Sequence, residues 1–137
     1  MIPDPNHVAR YCKPITVVNG RIQASAFHLR HGENNLSVNW LELFHCTSRL
    51  DELQALRAAY ITKGLVAKEK GKIAVLNAGV SRNNVLNHTS DRRDITFHHD
   101  PAPLDPSHSS IQGMRPNEVL IAELIRQTIQ EIHSTRI

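Results

Sequence analysis

A chain of 137 residues has room for one domain with one core and excludes a second. Aromatic residues are only 4% of it, so the core must be assembled from Leu, Ile, Val and Ala. Sixteen Lys and Arg against 13 Asp and Glu leave a net charge of +3 with no basic run longer than Arg92-Arg93, which allows a polyanionic partner without demanding one.

The first residues, Met1-Ile2-Pro3-Asp4-Pro5, lack the basic flank and apolar run of a secretory leader, and nowhere do about 18 uncharged apolar residues follow one another. The expectation is a cytoplasmic protein with no membrane span. Cys12 and Cys46 are then thiols, too far apart in sequence to form a zinc knuckle by themselves. Residues 15–18, Asn19-Gly20 and residues 21–27 read as strand, two-residue turn and strand, because Asn-Gly tolerates the positive φ of a type I′ turn. Gly32 and Asn34-Asn35 break the chain. Ser37 is positioned to cap a short helix through residues 38–44, although Val38, Trp40 and Phe44 also suit a strand. Ser48 with Asp51 has the form of a capping box, and Leu50, Leu53, Leu56, Ala59 and Tyr60 keep helical spacing up to a stop at Gly64.

Further on, residues 72–77 and 94–98 are short apolar strands, expected to be neighbours in one sheet, with the polar segment 81–93 between them. Pro101, Pro103, Pro106 and Pro116 make a stiff, non-helical loop. The last element predicted is a helix beginning near Pro116, with Glu118 at its positive end and Ile121, Leu124, Ile125, Ile129 and Ile132 along one face. The sum is an α+β fold over residues 1–137: a small, mostly antiparallel sheet packed against about two main helices.

The densest chemistry lies in that loop, where His98-His99-Asp100-Pro101 is followed by Asp105-Pro106-Ser107-His108. Nine histidines is an unusual number for this length, and two of them, His98 and His108, are separated by turn-forming residues that bring the chain back on itself. Such a pair serves as general base and general acid, since an imidazole holds either protonation state near neutral pH. Phosphodiester transfer uses such a pair, with Arg10 contacting phosphate and Ser107 as a further binding residue. The alternative is a metal site built from His98, His99, Asp100 and His108, in which the two adjacent histidines share an ion only if the strand ends at His98. No HExxH or paired CxxC pattern accompanies it, and no cofactor is specified.

Two resemblances add to this reading. Leu43-Phe44-His45-Cys46-Thr47-Ser48, with Ile61-Thr62-Lys63-Gly64-Leu65 downstream, resembles the His-x-Thr opening strand and following helix of ADP-ribosyltransferase domains over about twenty residues. That resemblance implies an NAD-binding domain with His45 and Thr47 at the nucleotide. A later Ser-Thr-Ser strand and a tyrosine motif are missing, and Glu118 and Glu123 fall on a predicted helix. Across most of the chain, His7-Val8-Ala9-Arg10-Tyr11-Cys12, Leu36-Ser37-Val38-Asn39-Trp40-Leu41-Glu42, Asp100-Pro101 and Pro106-Ser107-His108 resemble a group of small uncharacterised bacterial proteins. It implies no activity, but it implies that Arg10, Tyr11, Asn39, Trp40 and Glu42 are polar groups set among apolar neighbours that converge on the histidine loop, which makes Tyr11, Asn39 and Glu42 further binding residues.

The sequence thus points to a small bacterial enzyme acting on a phosphate-bearing substrate, RNA or nucleotide, through His98 and His108. The rival is a non-catalytic interaction module whose C-terminal helix or exposed hairpin docks a protein partner.

Overall fold

Ile73, Ala74, Val75 and Leu76 are all fully buried, which requires a strand covered on both faces. In the computed structural model, which describes residues 1–136, this segment is an inner strand of a six-stranded antiparallel sheet. The elements in chain order are β1 (His7–Cys12), β2 (Val17–Val18), β3 (Arg21–Ile22), β4 (Leu36–Trp40), α1 (Arg49–Thr62), β5 (Lys72–Asn77), α2 (Ala78–His88), β6 (Thr96–His99), β7 (His108–Gln112), α3 (Val119–Arg126) and β8 (Glu131–Ser134). The strand order is β6-β7-β4-β1-β5-β8, with β2 and β3 forming a separate small hairpin. The fold is α+β, and no helix among the described residues is long and apolar enough to cross a membrane.

Side chains alternate across each strand, so the two faces build two cores. Val8, Leu36, Val38, Ala74, Leu76, Phe97 and Ile111 face the larger one, which α2, α3 and the segment around Phe27 complete. Ala9, Ile73 and Val75 face the smaller one and meet Leu53, Leu56 and Tyr60 of α1. Helix α1 starts as the capping box requires: Ser48 Oγ accepts from the Asp51 amide at 3.2 Å, and the chain leaves the helix through Gly64 at φ +78°. It covers the β1–β5 half of its face. Asn39, Ser37, His108, Ser110 and His98 occupy the β4–β7–β6 half, as the register Asn39↔His108, Ser37↔Ser110 and His98↔Ser110 requires.

Several elements differ from the sequence reading. The Asn19-Gly20 turn is present with both φ values positive, but its second strand stops at Ile22, and Ala24–Phe27 form a 3-10 turn that buries Ala26 and Phe27 in the larger core. Residues Leu36–Trp40 are a strand because they find partners on both sides, β1 and β7, and only Leu41–Phe44 turn into a 3-10 segment. The polar segment after β5 contains α2, capped by Asn77 through its side-chain oxygen and the Val80 amide. It buries small residues, Ala78, Gly79, Ser81 and Val85, so no hydrophobic stripe announces it. Strands β5 and β6 share a sheet without being neighbours, since β1, β4 and β7 lie between them. The predicted C-terminal helix ends at Arg126. Ile132 lies on β8 and is 47% exposed, because the Gln130 amide donates to the Val75 carbonyl and pairs the chain onto the sheet edge.

Candidate functional site

Strands β1 and β4 pair at only two positions, Val8↔Trp40 and Ala9↔Asn39. Beyond them the strands diverge, and the gap leaves a cleft of about 240 Å³ whose walls come from β1, β4, β7, the 24–33 segment and the end of α1. Arg10 occupies the gap. Its Nε donates to the Ala26 carbonyl at 3.0 Å and its Nη1 to the Ser37 carbonyl at 2.7 Å, so the guanidinium replaces the rungs that the separated strands no longer make. Burial pulls its pKa below the ordinary guanidinium value, while Cys12, Glu33 and Tyr60 act against that fall and Arg30 reinforces it. Among the described residues Arg10 makes no ion pair. Lys13, Arg30 and Lys63 line the same cleft, with Glu33 as its carboxylate.

Below the cleft is a buried polar cluster. Asp105, 1% exposed, accepts from Lys63 Nζ at 2.6 Å and, through its other oxygen, from Asn39 Nδ2 at 2.9 Å. Asn39 Nδ2 also reaches Ser107 Oγ at 2.9 Å. These bonds fasten the proline-rich loop to the end of α1 and to β4, and reciprocal bonds between Ala102 and Asp105 close its tight turn. The stiffness expected of Pro101, Pro103 and Pro106 is therefore completed by one buried carboxylate, while Pro116 lies beyond β7, the strand that divides the predicted loop.

The loop sets His108. Its Nδ1 lies 2.7 Å from the Asp100 carbonyl oxygen, and its Nε2 lies 3.2 Å from Ser37 Oγ. Two further polar atoms on residues lining the cleft, Tyr60 Oη and His28 Nε2, are buried without a hydrogen-bond partner among the described residues. Burial pushes the Tyr60 phenol well above its ordinary pKa against the opposing pull of Arg10, so it stays neutral and available as a donor.

Of the residues singled out from the sequence, Arg10, Tyr11, Asn39 and His108 meet at this cleft. Tyr11 contributes a wall: its hydroxyl accepts from the Lys68 amide at 3.1 Å and its ring packs edge-on against Tyr60. Ser107 stands behind the cleft as a partner of Asn39. His98 shares the sheet face of His108, diagonally across β6 and β7, but its Nε2 is engaged with Thr96 Oγ1 at 2.8 Å and it does not line the cleft.

Glu42 also belongs elsewhere. Its carboxylate accepts from the His7 amide at 2.7 Å and lies 2.6 Å from His7 Nδ1, fastening the start of β1 to the turn after β4. The alternative metal set is not assembled, and no group of three or more His, Cys, Asp and Glu among the described residues is placed to hold an ion. The reason is that β6 continues through His99, which turns His98 and His99 to opposite faces. His99 packs edge-on against Trp40 and donates from Nε2 to the Pro106 carbonyl at 2.8 Å. The segment resembling the ADP-ribosyltransferase opening is not a strand: His45 ends a 3-10 turn at φ 54° and Thr47 is an exposed residue before α1.

Ser37, Lys63, His28 and Tyr60 escaped the sequence reading as site residues. Lys63 and Tyr60 fall on a helix that reads as structural, and Ser37 reads as a cap; only the packing of α1 on the sheet and the register of β4 show what they face. Set against protein-family models, curated proteins and solved structures, the chain matches none.

Proposed function

We propose that the chain is an enzyme that takes the phosphate group of a nucleotide or RNA substrate into the β1–β4 cleft, with His108 as the proton-transfer group. The observation that carries this reading is Arg10, a half-buried guanidinium whose hydrogen-bond partners among the described residues are two carbonyl oxygens and no carboxylate. A partly desolvated charge without an ion-pair partner is unfavourable, and an anion entering the cleft relieves it. A planar guanidinium suits a phosphate, and Lys13 and Arg30 give the approach the same sign. The cleft is smaller than the roughly 300–1,000 Å³ that enclose a drug-sized ligand. The substrate therefore enters by one end, and the remainder of a nucleotide or RNA strand lies outside. His98, one pleat away from His108, stands where a second proton carrier would be met by a substrate extending along the sheet.

The test is calorimetric titration with inorganic phosphate, mononucleotides and a short RNA, together with cleavage of an end-labelled RNA and of a chromogenic phosphodiester. Binding that weakens with added salt, falls at least about tenfold in Arg10→Gln and Lys13→Gln, and is accompanied by turnover lost in His108→Ala would support the reading. Lys13 is exposed, so its variant separates lost charge from lost folding. Equal affinity in wild type and both charge variants, or no binding of any phosphate compound, would sink it.

A second reading, a protein-interaction module, is favoured by Ile15, Ile61 and Val66, which are 87%, 79% and 74% exposed and flank two shallow grooves beside the cleft. It takes precedence if the cleft binds no phosphate compound and Ile61→Asp abolishes an association seen by light scattering.

A further inference from the structure

The register of β4 and β7 brings a hydroxyl to the imidazole already described. Asn39 is paired with His108 and Ser37 with Ser110, so Ser37 and His108 are diagonal neighbours on one face, within reach of a long side chain. Their polar atoms meet at 3.2 Å, Ser37 Oγ to His108 Nε2. The other ring nitrogen decides who donates. Nδ1 lies 2.7 Å from the Asp100 carbonyl oxygen, which only accepts, so Nδ1 carries the proton of the neutral ring. Nε2 then presents its lone pair to the Ser37 hydroxyl, which donates to it. The Asp100 carboxylate, 4.0 Å from Nδ1, adds a negative charge on the side where an imidazolium would develop.

This is a nucleophile, a base touching it, and a third group that fixes the tautomer of the base. Two further observations separate it from an ordinary serine–histidine contact on a sheet. Ser37 is exposed and lines the cleft, so its oxygen is open to a ligand. Arg10 Nη1 donates to the backbone carbonyl of the same residue at 2.7 Å, which ties the guanidinium to the strand position that carries the hydroxyl.

We propose that Ser37 is the nucleophile of a phosphoryl-transfer reaction in the β1–β4 cleft, with His108 as its general base. The proposal rests on the phosphate reading of that cleft. Ser37 Oγ attacks phosphorus as its proton passes to His108 Nε2; a bond from Oγ to phosphorus forms and the ester or anhydride P–O bond breaks. His108 returns the proton to the departing oxygen. A water molecule then attacks the phosphoserine with His108 taking its proton, the bond from phosphorus to Oγ breaks, and the serine oxygen recovers a proton. The net change is hydrolysis of one P–O bond by one water, with no oxidant or reductant. Lys13 and Arg30 stand at the same cleft to balance the charge on the phosphoryl oxygens.

The experiment is labelling with a fluorophosphonate, a phosphorus electrophile that a serine oxygen captures with loss of fluoride, read by intact mass and peptide mapping. One adduct per chain is expected, on Ser37, absent in Ser37→Ala, slowed about 100-fold or more in His108→Ala, and slowed by added inorganic phosphate. Ser37→Ala should keep the calorimetric affinity of wild type for phosphate while losing turnover, and Ser37→Cys should restore modification at the same position by a thiol reagent. An adduct on another residue, equal labelling rates in wild type and His108→Ala, or full turnover in Ser37→Ala would overturn the assignment of Ser37 while leaving phosphate binding intact. Loss of phosphate binding by the wild-type protein itself would instead mark failure of the cleft reading.

Discussion

Replacing Lys63 by methionine strands a buried carboxylate. Asp105 is 1% exposed and is held by Lys63 Nζ at 2.6 Å, by Asn39 Nδ2 at 2.9 Å and by Ser107 Oγ at 3.4 Å. Removing one member of a buried pair costs about 3–5 kcal/mol, since the other charge stays desolvated. The Lys63 side chain is 26% exposed and the Asn39 bond remains, so the low end, about 3 kcal/mol, is expected. Against a total stability of roughly 5–15 kcal/mol, the variant stays folded at room temperature, with a Tm lower by about 10 °C. The assay is urea unfolding followed by fluorescence of Trp40, the only tryptophan. Adding Asp105→Asn removes the stranded charge and should recover at least half of the loss. A Lys63→Met variant within about 0.5 kcal/mol of wild type, or a double variant no better than Lys63→Met, would refute a carboxylate that depends on this lysine.

Three other outcomes are expected. Burial pushes the Cys12 thiol up to about 11, and Cys12 is 1% exposed, so a thiol reagent at pH 8 should titrate Cys46 alone in the native protein and both cysteines in denaturant; two fast thiols in the native state would contradict the packing of β1. The Arg93 guanidinium, 2.6 Å from Glu118, holds that carboxyl below its ordinary value of 4.5, so its contribution is complete above that pH and lost as the pH falls through the lower folded value. Urea midpoints should be level from neutral pH down to about 5 and fall below about 4.5, less steeply in Glu118→Gln; identical slopes in the two proteins would refute the assignment. Truncation before Pro116 removes Ile121, Leu124 and Ile125 from the larger core, each worth about 1.5–3 kcal/mol, together with β8. Calorimetry of the truncated chain should show no cooperative transition, and a folded monomer would make α3 a docking element.

Local signals carried part of this protein. The Asn19-Gly20 turn, the Ser48 capping box with its stop after Lys63, and the continuous run that became β5 were all legible, because each depends on the backbone preferences or burial of adjacent residues. The α+β class followed from them. Position in the fold was not legible where small or polar residues are buried. Ser109 and Ser110 hide β7 inside a loop-like stretch, and α2 turns alanine, glycine and serine inward. The histidine loop was found from composition, and Arg10 as a guanidinium suited to phosphate and from a resemblance to a group of small bacterial proteins. That Arg10 stands alone in a gap, that β6 runs one residue past His98 and parts it from His99, and that Ser37 meets His108 were decided by strand pairing between segments up to 71 residues apart. Alternation along a strand says which residues share a face, but only the register chosen by the whole sheet says what each one touches.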